Sequence, residues 1–209
     1  DVAFDSAWGN GEFFLPMPGE YNVANAALAL AYLLVDGAEL GAVCDALQRM
    51  ASPPGRMQRV DAQGPRTYID YAHSPNALDV AMHALRAHGT GRLWCVFGCG
   101  GDRDRGKRPE MGAIAERLAD RVVITSDNPR SEPPADIIAD ILGGMQKPAA
   151  AKVIDDRAAA IAWAIANAGD DDQVLIAGKG HEQFQVVGGE SIPFSDYAVA
   201  KQSLDAKSA

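Results

Sequence analysis

Asp127, Asn128, Pro129 and Arg130 put a carboxylate, a side-chain amide and a guanidinium on neighbouring residues, just after the β-branched run Val122-Val123-Ile124. Such a run reads as a buried strand. Pro129 has no amide to donate and drives Asn128 away from helical angles, so the strand must end in a rigid turn. A helix follows, with Pro134 early in it and Ile137, Ile138, Ile141 and Leu142 at helical spacing. A mixed-charge turn between strand and helix suits a zwitterionic ligand. Taken alone, the run is explained better as an ordinary loop with a surface Asp and Arg.

Three further runs change that balance. Asp70-Tyr71-Ala72-His73-Ser74-Pro75, the Gly- and Arg-rich stretch from Gly98 to Arg108, and Gly178-Lys179-Gly180-His181-Glu182 each follow a predicted strand. In a parallel sheet the carboxyl ends of the strands share one edge, and ligands bind in the crevice outside it. Polar loops gathered on one edge therefore predict one composite site. Within it, Arg103 and Arg130 can each grip a carboxylate through a planar fork. Asp127 and Glu182 can accept hydrogen bonds from an ammonium. Those are the two ionised groups of a free amino acid.

Plainer readings stand beside these. Arg103 can pair at the surface with Asp102 or Asp104, an ion pair worth little. Lys179, between two glycines, reads as flexible, and is either a phosphate contact or without a role. His181 reads as a packing or helix-start histidine. Gly101 to Lys107 has P-loop spacing, but Arg108 occupies the magnesium-binding Ser/Thr position and Asp102 and Asp104 would repel a triphosphate, so a P-loop is rejected. Gly98-x-Gly100 and Gly178-x-Gly180 lack the third glycine of a dinucleotide fingerprint, and these glycines are expected to let backbone approach a ligand. No nucleophile elbow or Ser-His-Asp pattern stands out, and no covalent catalysis is expected.

The elements that must position these loops alternate. Strands are predicted near 67–71, 93–97, 122–125, 152–154 and 174–177, and helices near 76–87, 109–118, 135–145, 157–166 and 196–204. The pattern predicts an α/β domain, Rossmann-like, with a mostly parallel sheet. Before it, residues 1–18 read as short strands and turns, with Gly9-Asn10-Gly11 as a turn signal, and helices are predicted over 26–35 and 40–50. Asn22 and Asn25 share one helical face, or cap the first helix. Ser52-Pro53-Pro54-Gly55 is a stiff breaker, with Arg56 and Arg59 just beyond it.

The 209 residues carry a net charge of -9, with 28 acidic against 19 basic side chains, which argues against nucleic acid or an anionic membrane as partner. No apolar run approaches the roughly 18 residues of a membrane span. The N-terminus has no signal-peptide pattern and looks like the middle of an element, as in a chain excerpted from something longer. Cys44, Cys95 and Cys99, an odd number without a CxxC pair, read as reduced thiols of a cytosolic protein rather than a zinc site.

Assembled, residues 19–25 (GEYNVAN), 54–57 (PGRM), 70–75 (DYAHSP), 97–108 (FGCGGDRDRGKR), 127–130 (DNPR) and 177–182 (AGKGHE) resemble the C-terminal part of the Mur ligases. The resemblance covers essentially the whole chain. It implies that residues 1–61 are the tail of the family's P-loop-type, ATP-binding central domain, carrying strands and two helices, and that residues 62–209 are its amino-acid-binding C-terminal domain. It also implies a cytoplasmic, monomeric ligase of peptidoglycan synthesis, which uses ATP and magnesium to activate a substrate carboxylate as an acyl phosphate for attack by an amine. By motif, Asn22, Asn25, Arg56, Asp70 and His73 match nucleotide-site positions. Arg103, Asp127, Asn128, Pro129, Arg130, Gly178 and Glu182 match the pocket for the incoming amino acid. Arg130 matches the members that add meso-2,6-diaminopimelate to a UDP-N-acetylmuramoyl-dipeptide; lysine-adding relatives usually lack it. Asn76 departs from a frequent Asp. The P-loop itself and the family's carbamylated lysine have no match here, so no catalytic or metal-holding residue is assigned and the chain alone is expected to be inactive. A lysine-adding, glutamyl-adding or other Mur-type amino-acid ligase and a free-standing amino-acid- or nucleotide-binding module remain as alternatives.

Overall fold

A computed structural model describes residues 1–208. They form two compact units, Asp1–Pro53 and Pro54–Ala209.

In the first unit β1 (Val2–Ser6) and β2 (Gly9–Phe13) pair as an antiparallel hairpin, followed by α1 (Glu20–Val35) and α2 (Leu40–Gln48). The Gly9-Asn10-Gly11 run lies inside β2, and the turn is made by Ala7 and Trp8 between the paired Ser6 and Gly9. Helix α1 begins six residues earlier than its apolar run suggested, because Gly19 opens it without a side-chain cap. Asn22 and Asn25 therefore lie within the helix and cap nothing. Ala26, Leu30 and Leu34, spaced by one helical turn, meet Val43, Cys44 and Leu47 of α2 and Phe13 of β2. Glu39 caps α2, accepting from the Gly41 and Ala42 amides at 3.0 and 2.8 Å.

The second unit contains β3 (Gln58–Arg59), β4 (Arg66–Asp70), α3 (Pro75–His88), β5 (Leu93–Phe97), α4 (Lys107–Leu118), β6 (Arg121–Ile124), α5 (Pro134–Leu142), β7 (Lys152–Val153), α6 (Arg157–Asn167), β8 (Gln173–Ala177), β9 (Phe184–Val187), β10 (Glu190–Pro193) and α7 (Asp196–Ser208). Six strands form one sheet in the order β3-β4-β8-β5-β6-β7, parallel except for β3 at its edge. The compact units divide at Pro53–Pro54, ahead of the expected boundary at 61/62, because β3 pairs with β4 and draws residues 54–61 into the second unit.

Topology places the helices. The chain steps from β4 over β8 to β5, β6 and β7, then returns through α6 to β8 in the middle. Right-handed crossovers in opposite directions put helices on opposite faces. Accordingly α3, α4 and α5 pack in one layer, and α6 and α7 in the other. Central strands β5 and β8 are buried along their whole length, as a sheet covered on both faces requires. Val96, Val123 and Ile176 pack against Ile161, Ala164 and Ile165 of α6. By strand alternation Cys95, Phe97, Ile124 and Leu175 face the other layer. Among the described residues no helix is long and apolar enough to cross a membrane, and the three cysteines are buried and unbridged.

Candidate functional site

The carboxyl ends of β4, β5, β6 and β8 lie side by side, so the loops after Asp70, Phe97, Ile124 and Ala177 converge. They enclose a cavity of about 330 Å3, within the range of small-ligand pockets. Its lining includes His73, Arg103, Asp127, Asn128, Arg130, Gly178 and Glu182 from the sequence analysis. Gly98 and Gly100 also line it, and Tyr71, Cys99, Asp104 and Lys107, whose types alone gave no reason to select them, complete it. Pro129 is buried beneath the rim.

Arg130 has φ 53°, a left-handed conformation that a non-glycine residue adopts only when its surroundings impose it. Two main-chain bonds impose it here: Arg130 N donates to Val186 O at 3.0 Å, and Gly188 N donates to Arg130 O at 2.8 Å. Both partners belong to the β9–β10 hairpin, which the sequence analysis did not identify. Its signal was Gly188-Gly189 between two short extended runs. The Arg130 guanidinium donates from Nη1 to Gly101 O at 2.8 Å. Its Nε and Nη2 carry no hydrogen bond among the described residues, so part of the fork remains for a ligand.

Asn128 is held more firmly. Its Oδ1 accepts from Lys179 Nζ and from Val186 N, both at 2.9 Å, and its Nδ2 donates to Glu182 Oε2 at 2.8 Å. Lys179 is fully buried and its ammonium also reaches Glu182 Oε2 at 2.9 Å. The flexible lysine expected between two glycines is thus a fixed internal cation. Burial raises the Glu182 carboxyl, but the Asn128 and Lys179 hydrogen bonds outweigh it and hold the group below its ordinary value.

Asp127 differs. Its backbone carbonyl accepts from Gln185 Nε2 at 2.6 Å, but its carboxylate has no hydrogen bond among the described residues. Burial pushes its carboxyl up, against the nearby cations Arg157 and Lys179. A carboxyl whose folded value is raised opposes folding once it ionises, so its cost grows as pH rises from the ordinary Asp value to the raised one. Asp127→Asn is therefore expected to be more stable than the wild type at pH 8 and close to it at pH 4. Urea unfolding at the two pH values measures this; an equal difference at both would show that the carboxylate is not strained by burial.

The other expected residues are not hydrogen-bonded to this group, although Arg103 and His73 line the same cavity. Arg103 is exposed and donates to its neighbour's main chain, Asp102 O, at 3.1 Å, so neither surface ion pair forms. Arg56 lies over the Tyr71 ring at 4.9 Å, with His73 and His181 tilted against the same ring. Buried Asp70 accepts from Met57 N at 2.8 Å, so its carboxylate holds the turn that presents Arg56. Asn22 and Asn25 belong to the first unit; Asn22 Nδ2 donates to Pro18 O at 2.7 Å, and Asn25 is exposed. Of the glycines expected to approach a ligand, Gly98, Gly100 and Gly178 line the cavity, whereas Gly101 is packed against protein: a Cβ there would stand 1.9 Å from Pro129 O. Arg108, the residue that spoiled the P-loop spacing, is buried and ion-paired with Glu132 and Asp140, both at 2.8–2.9 Å. That pairing holds the Glu132 carboxyl down to about 2.

Residues 55–180 match the family model described as "Mur ligase, glutamate ligase domain". The chain belongs to the Mur ligase family. A UDP-N-acetylmuramoyl-L-alanyl-D-glutamate--2,6-diaminopimelate ligase of Vibrio cholerae is 47% identical over 203 residues, 97% of this chain and 41% of the relative. A solved structure of a ligase of that same name superposes with TM-score 0.77 at 38% identity, over 99% of this chain and 43% of the other. Escherichia coli FolC in complex with ADP superposes with TM-score 0.66 at 26% identity, over 99% of this chain and 44% of the other. The chain thus spans less than half the length of the Mur ligases and relatives that it matches.

Proposed function

We propose that this chain is the amino-acid-binding part of an ATP-dependent Mur-type ligase. The ligase adds meso-2,6-diaminopimelate to UDP-N-acetylmuramoyl-L-alanyl-D-glutamate during peptidoglycan precursor synthesis in the cytoplasm. The observation that carries the reading is the pairing, in one cavity, of the Arg130 fork with the acidic groups Asp127 and Glu182. The relatives' names give the substrate class. Diaminopimelate carries a carboxylate and an ammonium on each end carbon. Arg130, aided by Arg103, receives the carboxylate of one end through charge-assisted hydrogen bonds. Asp127 and Glu182 receive the ammonium of that same end. The other amine is left to attack.

In the proposed reaction ATP transfers its γ-phosphoryl group to the acceptor carboxylate. The free amine attacks the resulting acyl carbon, the C–O bond to phosphate breaks, and inorganic phosphate leaves with a proton lost from nitrogen. Magnesium would neutralise the phosphates, and no residue of this chain is assigned to hold it. For ATP, Asn22 and Asn25 in the first unit and Arg56 and His73 in the second are proposed contacts, with Asp70 supporting Arg56. The exposed Arg56 guanidinium beside the Tyr71, His73 and His181 rings suits a nucleotide in charge and in flat surface. The first unit is proposed as the end of an ATP-binding domain, and the ligase as a monomer.

Arg130 tests the substrate choice. L-Lysine, oriented as the substrate is with its α-amine left to attack, presents to this site an ammonium without a carboxylate. Arg130→Met is expected to weaken meso-diaminopimelate binding by about 10- to 100-fold, the worth of a charged hydrogen bond, and to leave lysine binding unchanged. Titration calorimetry of both proteins with both amino acids reads this directly. An unchanged ratio between the two ligands would refute the assignment.

A further inference from the structure

Lys179 is the one lysine buried completely among the described residues, and its ammonium touches two groups of the pocket at once. Burying an ammonium is costly unless it is paired and hydrogen-bonded. Lys179 is both. It lies within a closed triangle: Lys179 Nζ donates to Asn128 Oδ1 and to Glu182 Oε2 at 2.9 Å each, and Asn128 Nδ2 donates to Glu182 Oε2 at 2.8 Å.

The triangle has only one consistent arrangement. An ammonium can donate and never accept. The same is true of Val186 N, which also points at Asn128 Oδ1 at 2.9 Å. Two obligate donors on one side of the amide force the oxygen there and turn the NH2 toward Glu182. Without them the two ends of the amide are nearly equivalent in shape, and the flipped form would face the Glu182 carboxylate oxygen with the amide oxygen. Glu182 is fixed in the same way: Oε2 takes both donors, which leaves Oε1 without a hydrogen bond among the described residues.

We propose that Lys179 is a positioning residue of the amino-acid pocket: it orients the Asn128 amide and anchors one oxygen of Glu182, so that the other oxygen is presented to the ligand's ammonium. This rests on the proposed amino-acid ligand, although the triangle itself does not. Lys179 also makes the pocket selective by charge. Asp127 and Glu182 together would over-bind any cation, and the fixed ammonium offsets one of their two charges. The other charges around Glu182 and Asp127 are the cations Arg130 and Arg157 and the anion Asp196, with Arg103, Lys107 and Asp104 also lining the cavity.

The test uses this chain with Lys179→Met, Glu182→Gln and the double variant. Lys179→Met is expected to weaken meso-diaminopimelate binding by about 10- to 100-fold. In a carboxyl-carbon NMR titration the Glu182 signal of that variant should titrate at higher pH than in the wild type, because its nearest cation is gone. In the double variant the two losses should not add, since both act on one contact. Additive losses, or wild-type affinity in Lys179→Met with an unmoved Glu182 titration, overturn the proposal. If the wild type binds no diaminopimelate, the ligand reading fails, and the Glu182 titration alone decides whether Lys179 positions it. If Lys179→Met does not fold, Lys179→Gln, which keeps a donor and drops the charge, carries the same two readouts.

Discussion

Asp196→Asn is expected to cost the second unit about 3–5 kcal/mol of folding free energy, the usual penalty for leaving one member of a buried ion pair without its partner. Arg157 and Asp196 are both fully buried and meet through two bonds, Nε to Oδ1 at 2.7 Å and Nη2 to Oδ2 at 2.8 Å. Burial works against the Arg157 charge, and Asp196, with Asp127 and Glu182, more than compensates. The pair matters beyond its own energy because of where the guanidinium's other bonds go. Nη2 donates to Ala177 O at 2.9 Å and Nη1 to Ser126 O at 3.3 Å. Ala177 ends β8 and Ser126 lies two residues past β6, one residue before Gly178 and Asp127 respectively. A single side chain therefore ties together the two loops that carry the pocket's carboxylates. With Asp196 neutral, Asp127 becomes the principal counter-ion of Arg157, and its carboxyl should titrate lower than in the wild type. Urea unfolding measures the stability and a carboxyl NMR titration the shift. A loss below about 1 kcal/mol, typical of surface pairs, would show that the pair is hydrated in solution.

Gly178→Ala is expected to combine two penalties at one atom. Gly178 has φ +116°, where a side chain is strained in any surroundings. The added Cβ would also stand 2.6 Å from Asp127 Oδ2. Backbone strain of this kind costs about 1–3 kcal/mol. The clash then pushes the carboxylate out of the cavity, and a misplacement of about 1 Å in a positioned group can reduce function on the order of a hundredfold. Gly178 N also donates to Asp70 O at 3.1 Å, so moving the glycine disturbs the β4 loop as well. The expected result is a folded but less stable chain without measurable amino-acid binding. Wild-type affinity in Gly178→Ala would mean that Asp127 does not touch the ligand.

What the sequence shows of this protein follows from the range of the forces involved. Strands β5, β6 and β8 are legible because a sheet covered on both faces demands short continuous apolar runs, and their neighbours in sequence supply them. The polar loops at one sheet edge are legible for the same reason, since each must follow one of those strands. Lys179 is not. Its immediate neighbours are glycines, which suggest mobility; of the two partners that fix it, Glu182 is three residues away but Asn128 is 51. Arg157 and Asp196 are 39 residues apart, and Arg108 meets Glu132 and Asp140 across 24 and 32. Each reads as a surface charge until the fold brings its partner to it. The β9–β10 hairpin escapes for another reason: its side chains are largely exposed, so no apolar period marks it. The turn glycines were its only local sign, and yet it holds Arg130 in place.

The most direct measurement is isothermal titration of this chain with meso-2,6-diaminopimelate, with L-lysine titrated in parallel at the same pH and ionic strength. The charge arrangement around Arg130, Asp127 and Glu182 predicts binding of diaminopimelate and at least about tenfold weaker binding of lysine. Equal affinities, a preference for lysine, or no heat from either amino acid would contradict it.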